Sequence, residues 1–220
     1  MMLRPIFSRW SRLVLAVLIV GVSARRVSAQ DAGPEFERQA RVADMLRLLG
    51  AQPGSVIADV GAGDGAFTIP IARAVAPAGR AVAVDVSESA LTKLRARAGR
   101  ENVINVDAIL GAADDPHLAV GQFDAAMIHN AYHEMTEHEA MLRHIKAALK
   151  PGGRFLVVEP MHDSSRGLSR DQQVAKHDIE ADIVDAELTA TGFEVIERDD
   201  KFITFTSVPG GFWLILARVK

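Results

Sequence analysis

The chain has 220 residues, 49% of them hydrophobic, with 25 basic and 28 acidic side chains. That length and apolar content suffice for one well-buried domain, and the absence of cysteine excludes disulfides, thiolate metal sites and lipid attachment through cysteine. The first 29 residues hold five arginines and no acid, so the rest carries 20 basic against 28 acidic residues, a net charge of −8; such a body argues against DNA or RNA as a partner.

The chain opens on Arg4, Arg9 and Arg12, then the apolar run Leu13 to Val22, then Val27-Ser28-Ala29. A basic segment, a short apolar segment and a small-residue site read as a secretory signal over residues 1–29, cut after Ala29. Ten apolar residues fall short of the ~20 that span a bilayer; an uncleaved membrane anchor is the alternative. The expected location is therefore outside the cytoplasm, or on the membrane through this segment. Residues 30–34 read as a linker and 35–220 as one domain.

Phe36, Ala40, Ala43 and Leu46 recur at helical spacing, which predicts a helix over Glu35 to Leu49, ended by Gly50 and Pro53-Gly54. A strand follows at Ser55 to Val60. Gly61, Gly63 and Gly65 then make a tight turn that opens a helix burying Ile69, Ala72, Val75 and Ala76. Such a turn brings backbone close to a ligand and aims free N–H groups at it. Pro70, early in that helix, costs one hydrogen bond or a slight kink. The second strand is Ala81 to Val86, and Ser87 caps a helix carrying Leu91, Leu94 and Ala98. Asp85, 20 residues past Gly65, stands where a carboxylate accepts from both ribose hydroxyls. The pattern Gly61-x-Gly63-x-x-Ala66 also satisfies a loose dinucleotide fingerprint. Asp59 and Asp64 decide between the two, because they repel a pyrophosphate and attract a cation such as S-adenosylmethionine.

Strands three and four read as Val103 to Leu110 and Phe123 to Ile128. Thr136-x-x-Glu139 reads as a capping box for a helix with Ala140, Met141, Ile145 and Ala148 on one face. It stops at Pro151-Gly152-Gly153, before a fifth strand at Arg154 to Val158. Met161 to Lys176 lacks periodicity and reads as a mobile loop. Ile179, Ile183, Ala186 and Ala190 mark a last helix closed by Gly192. Phe193 to Arg198 and Phe212 to Val219 form a terminal antiparallel pair. Alternating strands and helices predict an α/β fold, Rossmann-like, with a seven-stranded mostly parallel sheet, helices on both faces and that antiparallel pair at the C-terminus.

Asp59-Val60-Gly61-Ala62-Gly63-Asp64-Gly65, Asp85, Phe123 to Ile128, Leu149-Lys150-Pro151-Gly152-Gly153 and Gly192-Phe193 together resemble the class I S-adenosylmethionine-dependent methyltransferases, over roughly Glu35 to Lys220. The resemblance implies S-adenosyl-L-methionine as cofactor, with Asp59 orienting its methionine end and Asp85 binding the ribose. Gly61, Ala62, Gly63 and Gly65 form the cradle, and Val86, Ala112 and His129 complete the expected cofactor contacts. The family often places an aspartate against the adenine, in a Gly-Asp pair; here the pair is Gly111-Ala112, with Asp114 and Asp115 downstream.

The resemblance implies methyl transfer, here to a small-molecule or lipid-like acceptor over the ends of strands four and five. His129, His133, Glu134, Glu159, His162 and His177 gather there in the sequence reading, with Tyr132, Met161, Phe212 and Trp213 as apolar candidates. His133, His177 and Glu159 are the expected catalytic groups, since imidazole suits proton transfer near neutrality. The run His133-Glu134-Met135-Thr136-Glu137-His138 fails as a zinc-protease signature, because histidines five apart do not share a helix face. No residue is assigned to a metal; a set of His133, Glu159 and His177 from separate loops is one the sequence cannot bring together. The absent acid at position 112 and the export signal favour the alternative, a non-catalytic nucleoside-ligand-binding protein on the same fold. An NAD-type oxidoreductase is the third reading. The sequence leaves the oligomeric state open.

Overall fold

The computed structural model of the chain describes residues 34–204 and 209–220. The leader at 1–29 and all of the linker but Pro34 lie outside the described residues, and Pro34 opens the first helix. Helix α1 runs Pro34–Leu49, strand β1 Val56–Val60, α2 Thr68–Val75, β2 Arg80–Asp85, α3 Glu88–Arg100, β3 Val106–Leu110 and β4 Phe123–His129. Then follow α4 His138–Ala148, β5 Leu149–His162, α5 Arg170–Val174, α6 Ala181–Thr191, β6 Phe193–Thr204 and β7 Gly210–Val219. The seven strands form one sheet in the order β3-β2-β1-β4-β5-β7-β6. Strands β1 to β5 pair in parallel, and β7 runs antiparallel between β5 and β6. The α/β architecture expected from the sequence is thus the observed one.

Strand periodicity divides the core into two faces. Ile57, Ala125, Met127 and Leu156 point to one side, against Met45, Leu48, Ile71 and Val75 of α1 and α2. Ala58, Ala126, Ile128 and Val157 point to the other, against Met141, Leu142 and Ile145 of α4 and Val184 and Leu188 of α6. The order reverses at β1, with β2 on one flank and β4 on the other, and the carboxyl ends of these strands frame a crevice, the usual place for a ligand in such sheets.

Local chemistry explains most boundaries. Ser87 Oγ accepts from the Ala90 amide at 3.2 Å and caps α3, as expected. Gly192 closes α6 in the left-handed conformation, φ 86°, as expected. Helical hydrogen bonds already run from Ile69 N to Gly65 O and from Ile71 N to Phe67 O, and Pro70 between them has no N–H to donate, the lost bond foreseen.

Four expectations are corrected. The capping box at Thr136 does not form: α4 starts at His138 behind Glu137, without a side-chain cap, because a 3-10 turn at Tyr132–Glu134 takes up the preceding backbone. The segment 161–176 is ordered structure, not a loop throughout. Met161 and His162 extend β5, and Ser169 with Gln172 forms a capping box for α5. Helix α6 buries Ala181, Val184 and Leu188, not Ile183, Ala186 and Ala190. Ala76 lies beyond α2 and is half-buried.

Phe155 is wholly buried at the centre of β5, its ring 5.3 Å from that of Phe193. We expect Phe155→Ala to lower unfolding stability by about 3–5 kcal/mol, read as a lower denaturant midpoint at unchanged slope. A loss under ~1 kcal/mol would mean that this layer is not packed as described.

Candidate functional site

A cleft of about 350 Å³ opens at the carboxyl ends of β1, β2 and β4, within the size range of small-ligand sites. Val60, Gly61 and Gly63 form its floor, Val84, Asp85 and Val86 one wall, and Ala112 and Ala113 a corner beyond β3. Asn130, Ala131, Glu134, Met135 and Thr136 after β4 close the opposite side, with Met141 of α4.

Gly61 has φ +79°, and a Cβ there would lie 2.4 Å from the Ala131 Cβ. Only glycine lets the loops after β1 and β4 meet. Four amides of the turn are spent inside the protein. Gly61 N and Ala62 N donate to Val84 O, Gly65 N to Ala62 O, and Gly63 N to Asp85 Oδ2 at 2.8 Å. The free N–H groups expected at Gly61, Ala62, Gly63 and Gly65 are therefore engaged, which disfavours a pyrophosphate here. Asp85 also accepts from Ser87 N at 2.8 Å. Each carboxylate oxygen has a second lone pair, so Asp85 can still take ribose hydroxyls. Val86 is 66% exposed in this wall; with Ala112 and Ala113 it offers an apolar slot suited to a nucleobase. Asp115 turns away, its Oδ1 accepting from the His117 amide at 2.7 Å.

Asp59 and His129 do not line the cleft. The Asp59 carboxylate is buried and accepts from Thr68 Oγ1 at 2.6 Å, tying β1 to the first turn of α2. Burial pushes its pKa up to about 6, against the Thr68 hydrogen bond, with the charge of Asp85 adding to the rise. His129 follows the alternation of β4 onto the opposite sheet face. Its ring lies 4.1 Å from that of Phe67 and 5.4 Å from that of Phe212.

Glu159 organises the turn after β4. It is fully buried. Its Oε1 accepts from the amides of Ala131 at 2.7 Å and Tyr132 at 2.8 Å, and its Oε2 lies 2.6 Å from His133 Nδ1. A carboxylate partner puts the ring proton on Nδ1, so neutral His133 carries its lone pair on Nε2. Burial opposes the imidazolium, but the hydrogen bond and charge of Glu159, with Glu134 and Asp178, outweigh it and raise the His133 pKa. His177 approaches with its ring centre 5.6 Å from that of His133, at 88°. The structure thus brings His133, Glu134, Glu159 and His177 together. His162 pairs instead with Asp178, Nδ1 to Oδ1 at 2.8 Å. Tyr132, Met161 and Trp213 belong to the core rather than to an acceptor wall, and Phe212 packs on the His129 face.

Two residues without a signal in the sequence matter here. Thr68 fixes Asp59. Asp178, buried between His177 and Ile179, holds His162 and the Ser165 hydroxyl and so fixes the loop that carries His177. An acid beside a histidine was the only hint.

This sheet order, with a glycine turn at the point of reversal and a carboxylate closing the second strand, defines a Rossmann-like α/β domain. Residues 57–153 match a methyltransferase-domain family, and the fold is that of the class I S-adenosylmethionine-dependent methyltransferases, whose cofactor is S-adenosylmethionine. A methyltransferase from Aquifex aeolicus superposes with TM-score 0.68 at 17% identity, over 86% of this chain and all of that one. The [4+2]-cyclase SpnF superposes with TM-score 0.70 at 20% identity, over 84% of this chain and 81% of its own. The ubiquinone/menaquinone biosynthesis C-methyltransferase UbiE of Hydrogenovibrio crunogenus is 33% identical over 115 residues, 52% of this chain and 45% of that protein. The chain spans about half or less of the length of the curated relatives it matches.

The folded state holds the Asp59 proton more tightly than the unfolded chain does, whose ordinary value is 3.8. Its contribution is therefore greatest in acid and is lost as pH rises through about 6, in all roughly 3 kcal/mol at 1.36 kcal/mol per pKa unit. Asp59→Asn keeps an acceptor for Thr68 and removes the charge. We expect the variant to be more stable than the parent at pH 8 and to lose that advantage towards pH 4, in chemical denaturation at both pH values. A gain independent of pH would show that Asp59 is ionised throughout.

Proposed function

We propose that the protein is a methyltransferase that moves the methyl group of S-adenosylmethionine to a small or lipid-like acceptor. The observation that carries this is the cleft itself. One carboxylate, Asp85, and an apolar slot serve the nucleoside, and the glycine amides of the turn are engaged within the protein. Bound S-adenosylmethionine supplies an activated methyl group. The residues then have to hold the acceptor in line and exclude water. Glu159 fixes the loop from Ala131 to His133, and His133 presents Nε2 at the acceptor end, beside Glu134 on the cleft wall.

The acceptor class draws support from the UbiE relatives, named as C-methyltransferases of quinone biosynthesis. Export or attachment to a membrane through residues 1–29 belongs to the same proposal; the order of basic, apolar and small residues there supports it. A cell-envelope extract is accordingly the first acceptor source to try. The cyclase among the structural neighbours favours keeping a second reading, ligand binding on this fold without methyl transfer; turnover separates the two.

The full chain should bind S-adenosylmethionine and S-adenosylhomocysteine in isothermal titration. Asp85→Ala should weaken both by about 10- to 150-fold, the equivalent of a charge-assisted hydrogen bond. With envelope extract or a panel of phenolic acceptors, S-adenosylhomocysteine should be released, and His133→Ala or His177→Ala should lower turnover more than cofactor affinity. An unchanged dissociation constant in Asp85→Ala would remove the assigned ribose contact. Binding without release under any acceptor would favour the second reading.

A further inference from the structure

We propose that His133, Glu134 and His177 form a binding site for one divalent transition-metal ion of the zinc type. One ligand atom from each of the three side chains lies within 4.8 Å of the others. The set differs from the one the sequence suggested, because Glu159 is consumed as the partner of His133 Nδ1 and Glu134 takes its place. His138, the second histidine of the protease-like run, is turned elsewhere, 3.2 Å from Glu187.

Three features make this more than a chance cluster. First, His133 is buried, and its Nδ1 is held 2.6 Å from a fully buried carboxylate. A carboxylate on the far nitrogen, which fixes tautomer and ring direction, is the usual support of a metal-bound imidazole. Second, His177 closes the turn after α5: its N–H donates to Val174 O and that of Asp178 to Gln173 O, a helix-ending motif that accounts for its φ of 58° and leaves its exposed imidazole edge-on to His133. Third, the spacing suits a shared ion. With each nitrogen ~2.0–2.1 Å from a tetrahedral ion, two imidazole centres lie ~5 Å apart; here they are 5.6 Å apart.

Two ligand atoms on one such ion lie ~3.3 Å apart, so the set must close slightly. Glu134 and His177 are both exposed and can rotate inward, while His133 is fixed. Two nitrogens and one carboxylate oxygen select borderline ions such as zinc over magnesium or calcium, which prefer all-oxygen sites. Three protein ligands leave a fourth position, and Glu134 also lines the cleft, so that position lies at the acceptor end. The inference goes beyond methyl transfer, and its test does not depend on activity.

The test uses the full chain without a histidine tag, stripped with chelator, then titrated with Zn²⁺ by calorimetry and with Co²⁺ by visible absorption. One equivalent of each should bind, and Co²⁺ should show the d–d bands of a low-coordinate nitrogen–oxygen site. Mg²⁺ should not compete. His177→Ala changes an exposed side chain, and its fold can be checked by circular dichroism. It should weaken Zn²⁺ by on the order of 100-fold or more, since loss of a supporting residue alone costs about 10–100-fold. Glu159→Gln should weaken it by about 10–100-fold, because an amide facing Nδ1 moves the ring proton to Nε2. His144→Ala, at an exposed and distant histidine, should leave binding unchanged. Absence of stoichiometric binding, full affinity in His177→Ala, or an equal loss in His144→Ala would overturn the proposal, as would Mg²⁺ binding as tightly as Zn²⁺.

Discussion

The buried carboxylate of Glu159 is the constraint on which the turn after β4 depends. Its residue lies on β5 one position past the end of its pairing with β4 and opposite Trp213 of β7, fully buried, where an ionised group is costly unless every lone pair finds a donor. Two backbone amides and an imidazole satisfy it. Each bond to a charged group is worth about 1.5–3 kcal/mol, and together they offset the burial. The consequence is geometric. The chain leaving β4 folds over the end of β5 into the turn Tyr132–Glu134, which sets Ala131 against Gly61, Glu134 on the cleft wall and His133 against Glu159.

The cofactor end rests on a different economy. Turn amides that bind phosphate in other α/β proteins are spent here on Val84 and Asp85. Asp85 therefore serves two purposes, bracing the glycine turn and facing the ligand. Asp59, the more conspicuous acid in the sequence, is buried behind the turn and joins β1 to α2. The two acids meet only through their charges: Asp85 helps to keep Asp59 hard to ionise. Asp85, Val86 and Ala112 all line the cleft.

Legibility in the sequence followed distance along the chain. Caps and turns were readable where their partners are close neighbours, as at Ser87 and Gly192. The false capping box at Thr136 had the right letters, but the backbone before it is drawn into the turn held by Glu159, a residue of another strand. In α6 the apolar residues allow two faces, and packing on α4 and the sheet chose Val184 and Leu188 over Ile183 and Ala190. The segment from Met161 to Lys176 reads as a loop because its order comes from polar contacts, those of Asp178 and of the buried Gln173 with Leu168 and Glu180, which leave no hydrophobic period.

Alternating apolar runs, three glycines and an acid closing the second strand determined by themselves the α/β class, the antiparallel ending and a cleft at the glycine turn, because these features depend on residues adjacent in the chain or in neighbouring strands. Which side chains face which cavity was decided only by tertiary structure. His129 and Asp59 lie within reach of the cleft in sequence, yet the pleat of β4 and the closure of α2 on β1 carry them behind it. His133 and His177 come from segments with no local reason to meet; Glu159, from another strand, holds the first through Nδ1, and Asp178, the neighbour of the second, is held by His162 and Ser165.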